Sequence, residues 1–272
     1  MIDAKIGFLG GGNMAGALVK GLLASGVSSA DRLQVSDVSA ERRAELEAAH
    51  GIRTSSDNLA VVDTSEIVVL AVKPQVVPRV LTEVGAALAG KLLVSIAAGI
   101  STATLAERVP ASARLVRTMP NTPALVLAGI TAIAAGPRAT AADLATTRAL
   151  FDAVGRSVLL DEGQLDAVTG LSGSGPAYAL LVIEALADGG VRMGLPRDTA
   201  QLLAAQTVYG SAKMLLDTSE HPARLKDRVT SPGGTTIAGL YALERAGVRF
   251  AMMDAVGSAT ERSVALGRGT KG

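Results

Sequence analysis

Apolar positions fall into short unbroken runs in the first part of the chain, and helical stretches separate them. "KIGFLG" (Lys5–Gly10) reads as a buried strand, followed by a helix from Asn13 to Ser25. "RLQVSD" (Arg32–Asp37) is the next strand. "SAERRAELEAAHG" then makes a helix with Ser39 as its N-cap and Gly51 as its stop. "EIVVLAV" (Glu66–Val72), "KLLVSIAAG" (Lys91–Gly99) and "ARLVRTM" (Ala113–Met119) are further strands. "GITAIAA" (Gly129–Ala135) and "RSVLLD" (Arg156–Asp161) flank one more helix and complete the sheet. Nearly continuous apolar strands alternating with helices predict a parallel sheet covered on both faces. From about Glu162 the strand pattern ends. Alanine- and leucine-rich helical runs take over, broken by "GLSGSGP", "MGLP", "EHP" and "TSPGG". The chain therefore divides into an α/β domain over residues 1–162 and an all-helical domain over 163–272. No proline- or serine-rich linker separates them, so the two should pack together.

Composition narrows the chemistry. Of 272 residues, 49% are apolar but only 2% aromatic, so the core is aliphatic. The net charge is +1 and the charges are interspersed, with no basic run or aromatic platform for nucleic acid. No cysteine is present, which excludes disulfides, thiolate nucleophiles and cysteine-bound zinc. His50 and His221 do not form a metal-spacing motif, and no metal site is expected. The apolar run "AYALLVIEALA" (Ala177–Ala187) contains Glu184 and is too short to span a bilayer. The first residues, "MIDAKIGFLG", lack a basic stretch followed by a cleavage site. A soluble cytoplasmic protein with no membrane partner is the expectation.

The first chemical motif is "GFLGGGNMAGAL" (Gly7–Leu18). Gly10, Gly12 and Ala15 form G-x-G-x-x-A directly after a strand and at the start of a helix, with Asn13 and Met14 between them. Glycines here let the backbone turn tightly and approach a pyrophosphate, whose charge meets the helix N-terminus. The motif and the alternating pattern together define a Rossmann-type dinucleotide-binding domain. Asp37 ends the second strand about 20 residues on, where an acid takes the ribose 2′-hydroxyl of NAD and repels a 2′-phosphate. Arg42 and Arg43 lie nearby, either as compensating cations or as part of a solvated helix face. "AVKPQ" (Ala71–Gln75), "SIAAGI" (Ser95–Ile100) and "TMPNTP" (Thr118–Pro123) follow strands, at the carboxyl ends where ligands bind in open α/β sheets. Lys73 is a cofactor-facing candidate or a surface lysine. Asn121 is a polar candidate between two prolines.

Near the C-terminus, "VTSPGGTTIAGL" (Val229–Leu240) sets a glycine-rich loop in an otherwise apolar, helical region. Ser-Pro-Gly-Gly is turn chemistry, and Thr236 reads equally as a helix-start threonine. Glycine-exposed amides at a helix start also make an anion site.

"GFLGGGNMA", "AVKPQ", "SIAAGI", "VRTMPNTP", "GLSGSGPAY", "ALADGGVRMGLP" and "SPGGTTIAGL" occur in the order seen in pyrroline-5-carboxylate reductases. The chain resembles that family from Ile6 to about Glu261. The resemblance implies reduction of 1-pyrroline-5-carboxylate to L-proline with NADPH or NADH, the last step of proline biosynthesis. It implies that Ser231, Gly233, Gly234 and Thr235 hold the substrate carboxylate. Thr236 then orients the ring nitrogen as the catalytic residue. Asn58, Ala71, Lys73 with Pro74, and Ala97 line the cofactor channel beside the glycine loop. It also implies an interlocked homodimer, with the loop of one chain brought toward the cofactor of the other, and a possible higher assembly of dimers. Where some members carry a serine for the 2′-phosphate, this chain has Asp37, which makes NADH use plausible beside NADPH. The β-hydroxyacid dehydrogenases share the two-domain plan but place a catalytic lysine four residues after a glycine motif, and after Gly175 that position here is Ala179. Other cyclic-imine reductases, and a nucleotide-binding regulator without turnover, are the remaining alternatives.

Overall fold

The computed structural model describes residues 2–269. It contains two compact units. One runs through Ser174 and takes in the chain again from Ser258, and the other is Gly175–Gly257.

The first unit is built on an eight-stranded sheet. Its strands are β1 (Ile6–Leu9), β2 (Leu33–Ser36), β3 (Arg53–Ser55), β4 (Ile67–Leu70), β5 (Leu92–Ser95), β6 (Arg114–Met119), β7 (Gly129–Ala135) and β8 (Gly155–Leu159). The order is β3-β2-β1-β4-β5-β6-β7-β8. β1, β4 and β5 are buried along their whole length, as their unbroken apolar runs require. Helices α1 (Asn13–Ala24), α2 (Ala40–His50), α3 (Asn58–Asp63), α4 (Val77–Val84), α5 (Thr102–Ala106) and α6 (Ala141–Asp152) connect them. Side-chain alternation splits the core in two. Ile6, Phe8, Val35, Val94 and Val116 pack with Leu18 and Leu22 of α1, Leu46 of α2 and Phe151 of α6. Leu9, Val68, Leu70, Leu93 and Leu115 pack with Val61 of α3, Leu81 of α4 and Leu105 of α5. The strand order reverses at β1, between β2 and β4, and this switch point opens a crevice at the strands' carboxyl ends.

Two features of the sheet depart from the pattern reading. β6 and β7 are antiparallel. A parallel return needs a crossover of a dozen or more residues, and the link from Met119 to Gly129 holds only a single 3₁₀ turn, Thr122–Val126. β3 carries no apolar residue, so hydrophobic periodicity does not reveal it. It is an edge strand held by pairing with β2.

After a 3₁₀ turn at Glu162–Gln164, α7 (Leu165–Val168) continues through a π turn, Thr169–Gly173, into α8 (Gly175–Arg192). "GLSGSGP" therefore does not break the helix. Pro176 lacks an N–H and its ring would press on the carbonyl of Ser172 one turn back. The widened turn, with Ser174 N–H donating to Thr169 O at 2.8 Å, relieves that conflict. Joined in this way, Glu162–Arg192 is long and apolar enough to cross a membrane by length and composition, which corrects the expectation that this region is too short.

The second unit holds most of α8, then α9 (Arg197–Thr218), α10 (Pro222–Arg228), α11 (Thr235–Arg245) and the first part of α12 (Val248–Gly269). "MGLP" and "EHP" fall at the α8–α9 and α9–α10 breaks. α8 and α9 meet through Ala187, Ala200 and Ala204, while Leu180, Leu181, Leu202, Leu203 and Tyr209 are exposed. Alanines, with the partly buried Ile183 and Val191, thus lie inside the helix pair, and these leucines and Tyr209 outside.

Candidate functional site

The crevice is built by the turn from β1 to α1. Gly10 has φ +97°, and a Cβ there would come within 2.9 Å of the Ala71 carbonyl, so β1 and β4 can end this close together only with glycine. The half-buried Ala71 in turn donates its N–H to Leu9 O at 2.8 Å. Gly12 is the N-cap of α1 and offers no side-chain bond to the helix amides, and the first turn contains no acid. Nothing lies within 4 Å of where a Gly12 Cβ would stand. Asn13 and Met14 open the helix and Ala15 is buried beneath it. An uncapped helix start beneath open space fits the pyrophosphate of a dinucleotide.

Asp37 stands at the end of β2, as the pattern predicts, and it faces the glycine loop. Its Oδ2 accepts from Gly11 N–H at 2.8 Å and its Oδ1 from Ser39 N–H at 2.9 Å. Ser39 caps α2 by accepting from Arg42 N–H, and Gly51 closes the helix in the left-handed conformation. The arginines are not a solvated face. Arg42 Nε donates to Gly11 O at 2.5 Å and Arg43 Nη1 to Asp37 O at 2.7 Å. Only Arg42 Nη1 turns outward, to Glu45 at 2.8 Å.

Asn58 begins α3 under the same crevice. Its Oδ1 accepts from Ser36 Oγ at 2.7 Å and its Nδ2 donates to Glu83 at 3.0 Å. Lys73 is exposed before the 3₁₀ turn that Pro74 begins. Ala97, 2% exposed, can reach a ligand only through its backbone. Asn121 is committed elsewhere. Its Oδ1 accepts from Ile130 N–H at 2.9 Å, and its Nδ2 donates at 3.1 Å to Ser172 O, the carbonyl that Pro176 leaves unpaired. Asn121 thus braces the β6–β7 link against the π turn.

Beside "AVKPQ" and "SIAAGI" lies a cavity of about 300 Å³, lined by Pro74, Gln75, Ala98, Gly99, Thr169, Ser174, Ala259, Arg262, Ser263 and Leu266. Ser263 Oγ donates to Asp166 at 2.6 Å and ties α12 to α7 at its edge. Glu162 accepts from Thr102 N–H at 2.7 Å and from its hydroxyl at 2.5 Å, and pairs with the buried Arg117 at 3.1 Å. Burial pushes the Glu162 carboxyl up, but the bonds from Thr102 and Arg117 together outweigh it and hold the carboxyl below its ordinary value. Pattern reading missed both features, because their members are far apart in sequence.

In the second unit, "SPGGTT" forms the entry to α11. Gly233 has φ +67°, which glycine adopts without strain. Gly234 is the N-cap, again with no side-chain bond to the helix amides, and its N–H donates to Ser231 O at 3.1 Å. Ser231 and Thr235 are exposed, and Thr236 is half-buried at the second helical position. Amides of the first helical turn without a side-chain cap, gathered with these hydroxyls, can hold a carboxylate.

A doubly wound sheet with a glycine loop at its switch point, beneath an uncapped helix, defines a dinucleotide-binding protein of the Rossmann type. Residues 5–99 match the family described as NADP oxidoreductase, coenzyme F420-dependent, and residues 162–266 match pyrroline-5-carboxylate reductase dimerisation. Over 267 residues the chain is 48% identical to the pyrroline-5-carboxylate reductase of Synechocystis, spanning 98% of this chain and 100% of the relative. The solved pyrroline-5-carboxylate reductase of Coxiella burnetii superposes with a TM-score of 0.93 at 35% identity, over 97% of this chain and 99% of that one. The Plasmodium falciparum pyrroline carboxylate reductase, solved with NADP bound, gives 0.87 at 34% identity, over 98% and 99%. The chain belongs to the pyrroline-5-carboxylate reductase family.

Proposed function

We infer that the protein reduces 1-pyrroline-5-carboxylate to L-proline as a homodimer. Residues 1–162 hold the dinucleotide, and 163–272 supply the dimer contacts and the substrate loop. The observation that carries this reading is the complete "SPGGTT" entry to α11, a helix start without a side-chain cap beside the hydroxyls of Ser231, Thr235 and Thr236, in a chain matched over nearly its full length by reductases of this substrate. Gly10, Gly12, Asn13, Met14 and Ala15 receive the pyrophosphate, Asp37 the adenosine ribose, and Asn58, Ala71, Lys73, Pro74 and Ala97 the rest of the channel. NADPH is the natural donor by family, and Asp37 makes NADH acceptable.

The cofactor, when bound, supplies a hydride. A protonated imine already carries its positive charge, so hydride addition at the imine carbon gives a neutral amine and no alkoxide needs a proton donor. What the chain must do is orient. Ser231 and the amides of Gly233 and Thr235 fix the carboxylate, Gly234 sets the turn between them through its own bond to Ser231 O, and the Thr236 hydroxyl fixes the ring nitrogen. Orientation alone supplies a large share of such a barrier. The scarcity of histidine agrees with this chemistry. In the cytoplasm a second copy, not lipid, would cover the apolar side of Glu162–Arg192. The test is to follow cofactor absorbance with the imine present and to identify the product. Proline formed with either cofactor is expected, and none formed with both would overturn the reading.

A further inference from the structure

Arg42 occupies an unfavourable place for a cation, the first turn of α2, where the helix dipole repels positive charge. Its guanidinium is nonetheless tightly engaged. Nε donates to Gly11 O at 2.5 Å and Nη1 pairs with Glu45. Nη2 lies so close to α1 that a Cβ on Gly16 would come within 2.7 Å of it. On the other side of the same residue, Gly11 N–H is held by Asp37 Oδ2 at 2.8 Å. Gly11 is buried between the two, its N–H on a carboxylate and its carbonyl on a guanidinium.

We propose that Arg42 and Asp37 form a clamp on Gly11 that sets the glycine loop for the pyrophosphate, and that Arg42 is a positioning residue serving NADPH and NADH alike, not a reader of the 2′-phosphate. The proposal rests on the crevice being the dinucleotide site. A loop of glycines is the most flexible backbone a chain can offer, and each glycine ordered on binding weakens the complex. Ordering it beforehand through two charge-assisted hydrogen bonds removes that loss for any dinucleotide. Nε is taken by the loop carbonyl and Nη1 by Glu45, so two of the three guanidinium nitrogens are already committed to the protein.

The test uses the full-length protein with Arg42→Met, which keeps the aliphatic stem and loses the donors, and Arg42→Lys, which keeps a cation. Direct titration gives the dissociation constants of NADPH and NADH without requiring turnover, so the result stands whether or not the imine proves to be the substrate. For Arg42→Met both constants should rise by roughly tenfold, as expected for one lost charge-assisted bond, with their ratio unchanged. Turnover at saturating cofactor should stay near wild type. Arg42→Lys should recover part of the affinity for both. In the cofactor-free protein, amide exchange across Gly10–Asn13 should accelerate in Arg42→Met while the rest of the sheet keeps its protection. Loss of NADPH affinity alone would make Arg42 a phosphate contact and overturn the clamp. Unchanged affinity for both cofactors would overturn it as well.

Discussion

Thr236 and Asp37 each carry a separable role. Thr236 stands at the second position of α11, where Gly234 is the N-cap, so its hydroxyl is not needed to start the helix. Thr236→Ala should lower turnover by roughly 10- to 100-fold, the effect of one lost orienting hydrogen bond, with cofactor affinity nearly unchanged. Steady-state kinetics beside cofactor titration checks this, and unchanged turnover in a folded variant would reject the role. Asp37→Ser should shift the kcat/KM ratio toward NADPH, because a carboxylate at the end of β2 accepts from a ribose hydroxyl and repels a phosphate. A ratio that stays put would move the discrimination elsewhere. Residues whose roles are local were legible in the sequence: Gly10 and Gly12 by their spacing, Ser39 and Gly51 as caps. Arg42, Asn121 and Glu162 were not, because their partners Gly11, Ser172 and Thr102 lie 31, 51 and 60 residues away, and only the fold brings them together.

At the level of elements, burial decided what could be read. The strands β1, β4 and β5 are buried throughout and were plain in the pattern, whereas β3 is a polar edge strand held by backbone pairing with β2 and by the Thr54 hydroxyl on Glu47. The π turn was hidden for a different reason. Glycine and proline in "GLSGSGP" look like a break, and only Asn121, from another element, satisfies the carbonyl that keeps the helix continuous. Glu162 does similar work between elements, joining the start of α5, β6 and the turn before α7. Its carboxyl is held below the ordinary range, so its contribution is full above the unfolded-state pKa and is lost as pH falls through the folded-state value. Glu162→Gln should therefore destabilise the protein by about 1–3 kcal/mol at neutral pH. Thermal unfolding of both proteins should show the gap closing as pH drops below the ordinary glutamate range. A gap independent of pH would place the carboxylate's role elsewhere.

At the level of the whole molecule, the helical unit is inside out for an isolated chain. Alanines meet at the α8–α9 contact, and Leu180, Leu181, Leu202, Leu203, Tyr241 and Phe250 face outward. So much uncovered apolar surface is the mark of an interaction site, and residues 162–266 match a dimerisation family. The sequence showed the apolar excess but could not show its direction, because α8 and α9 carry apolar residues on more than one side. We infer that the reductase site is shared between two copies, the dinucleotide crevice of one served by the "SPGGTT" loop of the other. Mixed dimers test it directly. Gly12→Asp puts a carboxylate at the start of α1, where it favours the helix as an N-cap but excludes the pyrophosphate. Thr235→Asp puts one where the substrate carboxylate should sit. Each variant alone should be inactive. Coexpressed, half of the dimers are mixed and each has one of two sites intact, so about a quarter of wild-type activity should return. If the two variants together show no more activity than their sum, each site is complete within one chain and the shared-site account is wrong.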